Sequence, residues 1–260
     1  GTGPAIAGRA TAVSSAATAT TEPASLVNGK CTNPKMTHMQ EAYIVAGYRT
    51  AVTKSKRGGF RFTRPDDLAA DIIQHLVRSI PGLENKMIDD LIVGNAVPEA
   101  EQGMQMGRMI ALLALGIDVP GMVINRYCGS GVEAIAIASQ RIQSGMADII
   151  IAGGTESMSM VPVMGYKTAL NYKIATENPD YYTSMGLTAE QVSKQYGISR
   201  EAQDQFSFES HVKAAAAWKA GKFTAEVVPI TVRETFVGAD MKKQTRDFVV
   251  APDEGIRADT

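Results

Sequence analysis

Gly121-Met-Val-Ile-Asn-Arg-Tyr-Cys-Gly-Ser-Gly131 is the stretch whose reading decides the fold. It opens as a short apolar run, breaks at a glycine-rich turn, and continues from Val132 to Ile142 as helix-compatible sequence. A strand, a tight turn and a helix in immediate succession place Cys128 at the positive end of a helix. There the first backbone N–H groups have no intrahelical partner. Such a setting favours thiolate over thiol and therefore a nucleophile. Gly129 and Gly131 allow other groups to approach the sulfur closely. The competing reading is a free cysteine that packs as a small hydrophobe.

Outward from this elbow, short apolar runs alternate with helical periodicity. Tyr43–Ala46 and Leu91–Val93 read as buried strands. Between them Asp66 is placed to cap a helix whose apolar face is Leu68, Ala69, Ile72, Ile73, Leu76 and Val77. A second helix is expected from Gly107 to Leu115, then strand Met122–Asn125, the cysteine helix, and strand Ile149–Ala152. The alternation predicts an α/β fold with a parallel sheet covered on both sides. The cysteine helix is apolar nearly all round and is expected to be of the buried type, which one sheet alone could not cover. After Met158 the alternation stops. Thr188 and Gln191 have capping-box spacing for a short helix ending near Gly197, and Ser199 can cap a longer helix towards Ala220.

Composition excludes several classes. With 26 basic and 27 acidic residues, net charge −1, the chain carries no signature of a nucleic-acid or anionic-membrane partner. No apolar run is long enough to span a membrane. Two cysteines, Cys31 and Cys128, do not make a disulfide framework and suit a reducing, cytoplasmic compartment, with the mitochondrial matrix as the alternative. Residues 1–38 are rich in Ala, Thr, Ser and Pro and lack periodicity. They are expected to be a disordered or non-native extension, with Met39 as the natural start and no role for Cys31.

None of the three histidines has metal-ligand spacing. His38 lies in the extension. His75 falls beside Asp71 and Arg78 on the polar side of its helix. His211 shares a stripe with Phe208, Val212 and Ala215 and reads as a partly buried structural residue. Lys242, Lys243 and Arg246 are candidates for phosphate contact, but a charge run is more commonly a solvated face. Gly153-Gly154 lacks the fuller dinucleotide fingerprint.

Four segments in register carry a resemblance: Ala42-Tyr-Ile-Val-Ala-Gly-Tyr-Arg-Thr-Ala-Val52, Asn125-Arg-Tyr-Cys-Gly-Ser-Gly-Val-Glu-Ala134, Gly145-Met-Ala-Asp-Ile-Ile-Ile-Ala-Gly-Gly-Thr-Glu-Ser-Met-Ser159, and Met185-Gly-Leu-Thr-Ala-Glu190 with Ile198-Ser-Arg-Glu-Ala-Gln-Asp204. They resemble the first strand, the nucleophile segment, the following strand and the loop-domain signature of the thiolases, over Met39 to Thr260. The resemblance implies a layered αβαβα fold, of which this chain is the N-terminal half-domain (39–157) plus the loop domain (158–260). The family's Gly-His-Pro, Asn-Glu-Ala-Phe and Cys-x-Gly-Gly segments do not occur, so the chain is expected to be an incomplete portion that lacks the general base and second cysteine.

The activity implied is that of a degradative 3-oxoacyl-CoA thiolase of fatty acid β-oxidation. Cys128 is the acyl-accepting catalytic residue of a thioester intermediate, and its backbone N–H is one oxyanion donor. Met185 falls on a family position associated with substrate. Coenzyme A enters as a substrate, and no bound cofactor or metal is implied. The implied partners are acyl-CoA, CoA, further copies in a homodimer or homotetramer, and a β-oxidation complex. Biosynthetic acetoacetyl-CoA thiolases usually carry His before the Met of this segment, whereas Ser184 stands here, which argues for longer acyl tails. The alternatives are a biosynthetic acetoacetyl-CoA thiolase, a decarboxylating condensing enzyme, and a non-catalytic thiolase-like lipid carrier.

Overall fold

The computed structural model describes residues 40–257 and the backbone of Arg9–Ser15, Ser25–Val27 and Lys30–Thr32. His38 and Met39 lie outside the described residues, and so does the side chain of Cys31. The chain forms two compact units. The first is 1–163 with Glu226–Glu254, and the second is Met164–Ala225 with 255–260. The boundary expected at Met158 therefore falls at Met164, and the segment from Glu226 returns to the first unit.

The first unit is built on a mixed sheet in the order β4-β1-β7-β5-β6. Its strands are β1 (Arg9–Ser15), β4 (Ala42–Arg49), β5 (Asp90–Gly94), β6 (Gly121–Ile124) and β7 (Ile149–Gly154). A separate two-stranded ribbon pairs β2 (Ser25–Val27) with β3 (Lys30–Thr32). β5 runs parallel to both β6 and β7, so Gly94, Ile124 and Gly154 end at the same edge of the sheet. β5 and β7 are apolar on both faces because both are covered, whereas β4, expected from Tyr43–Ala46 to be a buried strand, is an edge strand that leaves Tyr43, Ile44 and Val45 exposed. Leu91, Val93 and Ile151 join the core beneath α1 (Pro65–Ser79) and α2 (Met106–Ala114). Ile92, Ile150 and Ala152 alternate to the other face, beneath α3 (Ser130–Gln143). The α/β reading holds, as helix, sheet and helix layers.

Three local expectations are corrected. Arg9–Ser15 is not structureless: it is a strand antiparallel to both β4 and β7, so the sheet is not wholly parallel. Low apolar content weighs against side-chain burial, but pairing on both edges is made by the backbone alone. Asp66 does not cap α1. The helix starts at Pro65, whose fixed φ suits the first position, and the Asp66 carboxylate is taken by the Arg64 guanidinium at 2.8 Å. Thr188 does not begin a helix. It lies inside α5 (Met185–Tyr196), which Ser184 caps by accepting from the Leu187 N–H.

α3 is covered on one side only, as expected of an apolar helix that has a single sheet to pack on. Ala134, Ala138 and Ile142 form one stripe sealed against the sheet, while Val132 is 74% exposed. Among the described residues only one sheet packs on this helix, and helix spacing puts these residues on a single face.

A hairpin of β8 (Ile230–Val237) and β9 (Lys243–Val250), unforeseen in the sequence, completes the first unit. Val228, Ile230, Val232 and Val250 pack into the core beneath α1 and α2. Polar ties lock the base of the hairpin. Arg49 bonds Glu226 at 2.7 Å and Asp253 at 2.8 Å, and Asp253 also accepts from the Val52 N–H. Buried Glu234 bridges Arg61 and Arg246, so Arg246 is committed to an internal carboxylate. Lys242 and Lys243 lie exposed at the turn.

The second unit contains α4 (Tyr172–Glu177), α5 and α6 (Arg200–Lys219), none of which has a buried residue. Ser199 caps α6 as expected, accepting from the Ala202 N–H. His211 is half-buried and accepts from the Arg257 N–H at 3.3 Å. No helix of the described residues is long and apolar enough to cross a membrane.

Candidate functional site

The elbow between β6 and α3 stands at the C-terminal edge of the parallel strands, where ligands gather in open α/β sheets. Close approach of α3 to the sheet sets its position. A Cβ on Gly94 would lie 2.5 Å from the Ser130 carbonyl carbon and 2.7 Å from the Gly131 nitrogen, so only glycine admits the helix start here. Tyr127 takes φ +47°, the left-handed region, which costs a bulky residue on the order of 1–3 kcal/mol.

Surrounding bonds offset that strain. The Tyr127 N–H donates to Asn125 Oδ1 at 2.8 Å, and the Asn125 amide donates to the Ala96 carbonyl at 3.0 Å. The Ser130 hydroxyl accepts from the Arg126 N–H at 2.8 Å and donates to the Tyr127 carbonyl at 2.6 Å. The Gly129 and Ser130 N–H groups close the turn onto Arg126 and Tyr127. Cys128 itself is exposed, and no described residue accepts from its N–H.

The loops after β5 and β7 are joined beneath the elbow. Glu156 accepts from the Ala96 N–H at 2.7 Å and from the Gln102 amide at 2.6 Å. Gln102, fully buried, also accepts from the Ser157 N–H. Asn95 ties its amide to the Thr155 carbonyl. Ala96 thus accepts from Asn125 at its carbonyl and donates to Glu156 through its N–H, which couples the cysteine turn to this buried network.

A strand-turn-helix nucleophile with an unengaged backbone N–H can attack a carbonyl and hold the resulting oxyanion. A family model described as "Thiolase, N-terminal domain" matches residues 42–260. This chain belongs to the thiolase family. It is 50% identical to the 3-ketoacyl-CoA thiolase of Bacillus subtilis over 223 residues, which is 85% of this chain and 57% of that protein. A β-ketoadipyl-CoA thiolase of Acinetobacter baylyi is 38% identical over 241 residues, 85% of this chain and 57% of that protein. The peroxisomal 3-ketoacyl-CoA thiolase 5 of Arabidopsis thaliana is 35% identical over 229 residues, 86% of this chain and 49% of that protein. The chain spans about half the length of the curated relatives it matches.

Of the two site residues singled out from sequence, Cys128 belongs to the first unit and Met185 to the second, where it opens α5 and is 73% exposed. His75 lies on α1, whose core is on the sheet face opposite α3, and its ring meets Tyr48 edge-on at 4.7 Å. Among the described residues no group of three or more His, Cys, Asp or Glu could hold a metal ion. Sequence reasoning passed over Asn125, Ser130, Gly94 and Glu156. Asn125 did carry a signal, because an Asn ending a strand before a turn is disposed to bond the backbone two residues on.

Proposed function

We propose that the full-length protein is a degradative thiolase, an acyltransferase that cleaves 3-oxoacyl-CoA with CoA, and that Cys128 is its acyl-accepting nucleophile. The observation that carries this reading is the exposed Cys128 on a strained, multiply bonded elbow, within a chain of this family. The Cys128 sulfur attacks the 3-oxo carbon. The bond between C2 and C3 then breaks, acetyl-CoA leaves as its enolate and takes up a proton, and the shortened acyl group remains on sulfur as a thioester. A second CoA thiol attacks that thioester, loses its proton, and frees Cys128. Splitting the reaction at a covalent intermediate replaces one difficult step with two easier ones.

In this reading the Cys128 N–H is one oxyanion donor, and groups outside these 260 residues supply the base and second cysteine. Coenzyme A is a substrate and no bound cofactor takes part. Met185, exposed at the start of α5, is a candidate for contact with the acyl tail. Ser184 stands where acetoacetyl-CoA thiolases usually carry His, which fits a preference for longer acyl tails, and its hydroxyl also caps α5. A homo-oligomer and a β-oxidation partner fit the same family reading. A cytoplasmic setting fits the bacterial relatives, while the plant relative's name places that protein in the peroxisome.

The test is intact-mass analysis of the full-length protein after incubation with an acyl-CoA. One acyl adduct is expected, lost in Cys128→Ser, with thiolysis faster on a longer 3-oxoacyl-CoA than on acetoacetyl-CoA. An adduct that persists in Cys128→Ser refutes the nucleophile. A clear preference for acetoacetyl-CoA refutes the degradative assignment.

A further inference from the structure

Ser130 is the first residue of α3 and only 3% exposed. A serine at a helix start ordinarily accepts from the helix's own N–H groups. This one turns back into the preceding turn. Its hydroxyl accepts from the Arg126 N–H and donates to the Tyr127 carbonyl, and its own N–H reaches the same carbonyl at 3.0 Å. Two donors converging on one carbonyl oxygen fix the orientation of that peptide group. The peptide is the one that joins Tyr127 to Cys128. It is planar and trans, so its N–H points opposite to its carbonyl. That N–H belongs to Cys128 and has no acceptor among the described residues.

We propose that Ser130 is a positioning residue for acyl transfer, which aims the Cys128 N–H at the developing oxyanion by holding the other end of the same peptide group. The hydroxyl is required because the Ser130 N–H alone leaves the peptide free to rock about its single remaining bond. Asn125 holds the adjacent N–H of Tyr127 and keeps the turn in its left-handed form, but it touches neither end of the Tyr127–Cys128 peptide. The aiming therefore rests on Ser130. This inference depends on Cys128 being the acyl acceptor, and the experiment separates the two.

In the full-length protein, Cys128 acylation by an acyl-CoA and its alkylation by iodoacetamide are followed by mass spectrometry in wild type, Ser130→Ala and Ser130→Thr. Acylation develops an oxyanion at a carbonyl, whereas alkylation is a displacement at a saturated carbon and does not. Ser130→Ala is expected to acylate on the order of tenfold to hundredfold more slowly. Its alkylation rate should stay within about threefold of wild type, and Ser130→Thr, which keeps the hydroxyl, should recover much of the acylation rate. Equal loss in both reactions, without recovery in Ser130→Thr, overturns the proposal in favour of a purely structural serine. So does an unchanged acylation rate in Ser130→Ala. Wild-type protein that alkylates but never acylates at Cys128 overturns the nucleophile reading itself.

Discussion

Replacing Gly94 by alanine tests whether close approach of α3 to the sheet holds the cysteine elbow in place. The added Cβ would sit 2.5 Å from the Ser130 carbonyl carbon and 2.7 Å from both the Ser130 oxygen and the Gly131 nitrogen, where ordinary contact begins at 3.4 Å. All three are backbone atoms, so no side-chain rotation relieves the overlap. The helix start has to retreat by about 1 Å to restore normal separation. Ala134, Ala138 and Ile142 oppose that retreat, because they are fully buried against the same sheet.

Overpacking of this kind costs about 2–3 kcal/mol, to be read by urea unfolding of the full-length protein. A displacement near 1 Å at the nucleophile should slow Cys128 acylation on the order of a hundredfold. Gly131→Ala is the internal control. Nothing lies within 4 Å of a Cβ there and its φ is not positive, so its stability should stay level or rise by up to about 1 kcal/mol. Gly94→Ala with wild-type stability and acylation, or Gly131→Ala as destabilising as Gly94→Ala, refutes the close-approach argument.

Glu234→Gln removes the carboxylate shared by Arg61 and Arg246 inside the β8–β9 hairpin, where the Glu234 side chain is 5% exposed. Both arginines are more exposed than the glutamate and can recover some hydration, so urea unfolding should show a loss of about 2–3 kcal/mol; no loss refutes a stabilising role. Asp71 on α1 has its carboxyl pKa raised, first by desolvation and then by the Asp67 charge, against a smaller lowering by Arg78. A raised folded-state pKa means that the stability contribution is fully present below the ordinary carboxylate range and is lost as pH rises through the folded value. Asp71→Asn should therefore match wild type in acid and become the more stable protein towards neutral pH, as urea midpoints across that range can check. A variant less stable than wild type at neutral pH contradicts the assignment.

Sequence by itself determined the alternation of strand and helix, the elbow at Cys128 and the membership that four motifs in register announce. Those features are local: a short apolar run, two glycines and a helical period each act within a few residues, so their reading survives without knowledge of distant neighbours. Ser199 as a cap and Gly197 at the end of α5, where φ is +63°, were legible for the same reason. Where local rules competed, tertiary contacts chose. Asp66 had the chemistry of a cap, but Arg64 beside it claimed the carboxylate, and Pro65 set the helix start.

The tertiary structure alone decided what holds the elbow. Gly94 reads as one more glycine until α3 comes to rest on β5, and Glu156 reads as one more carboxylate until Ala96 and Gln102 are brought beside it. It also decided the one-sided burial of α3, since apolar periodicity shows that a face can be buried but not whether a partner covers it. Hydrogen bonds to a particular backbone atom and contacts that require a missing Cβ depend on segments about 30 to 60 residues apart in the chain. Such pairings are chosen by packing of the whole sheet and leave no periodic trace in any single stretch.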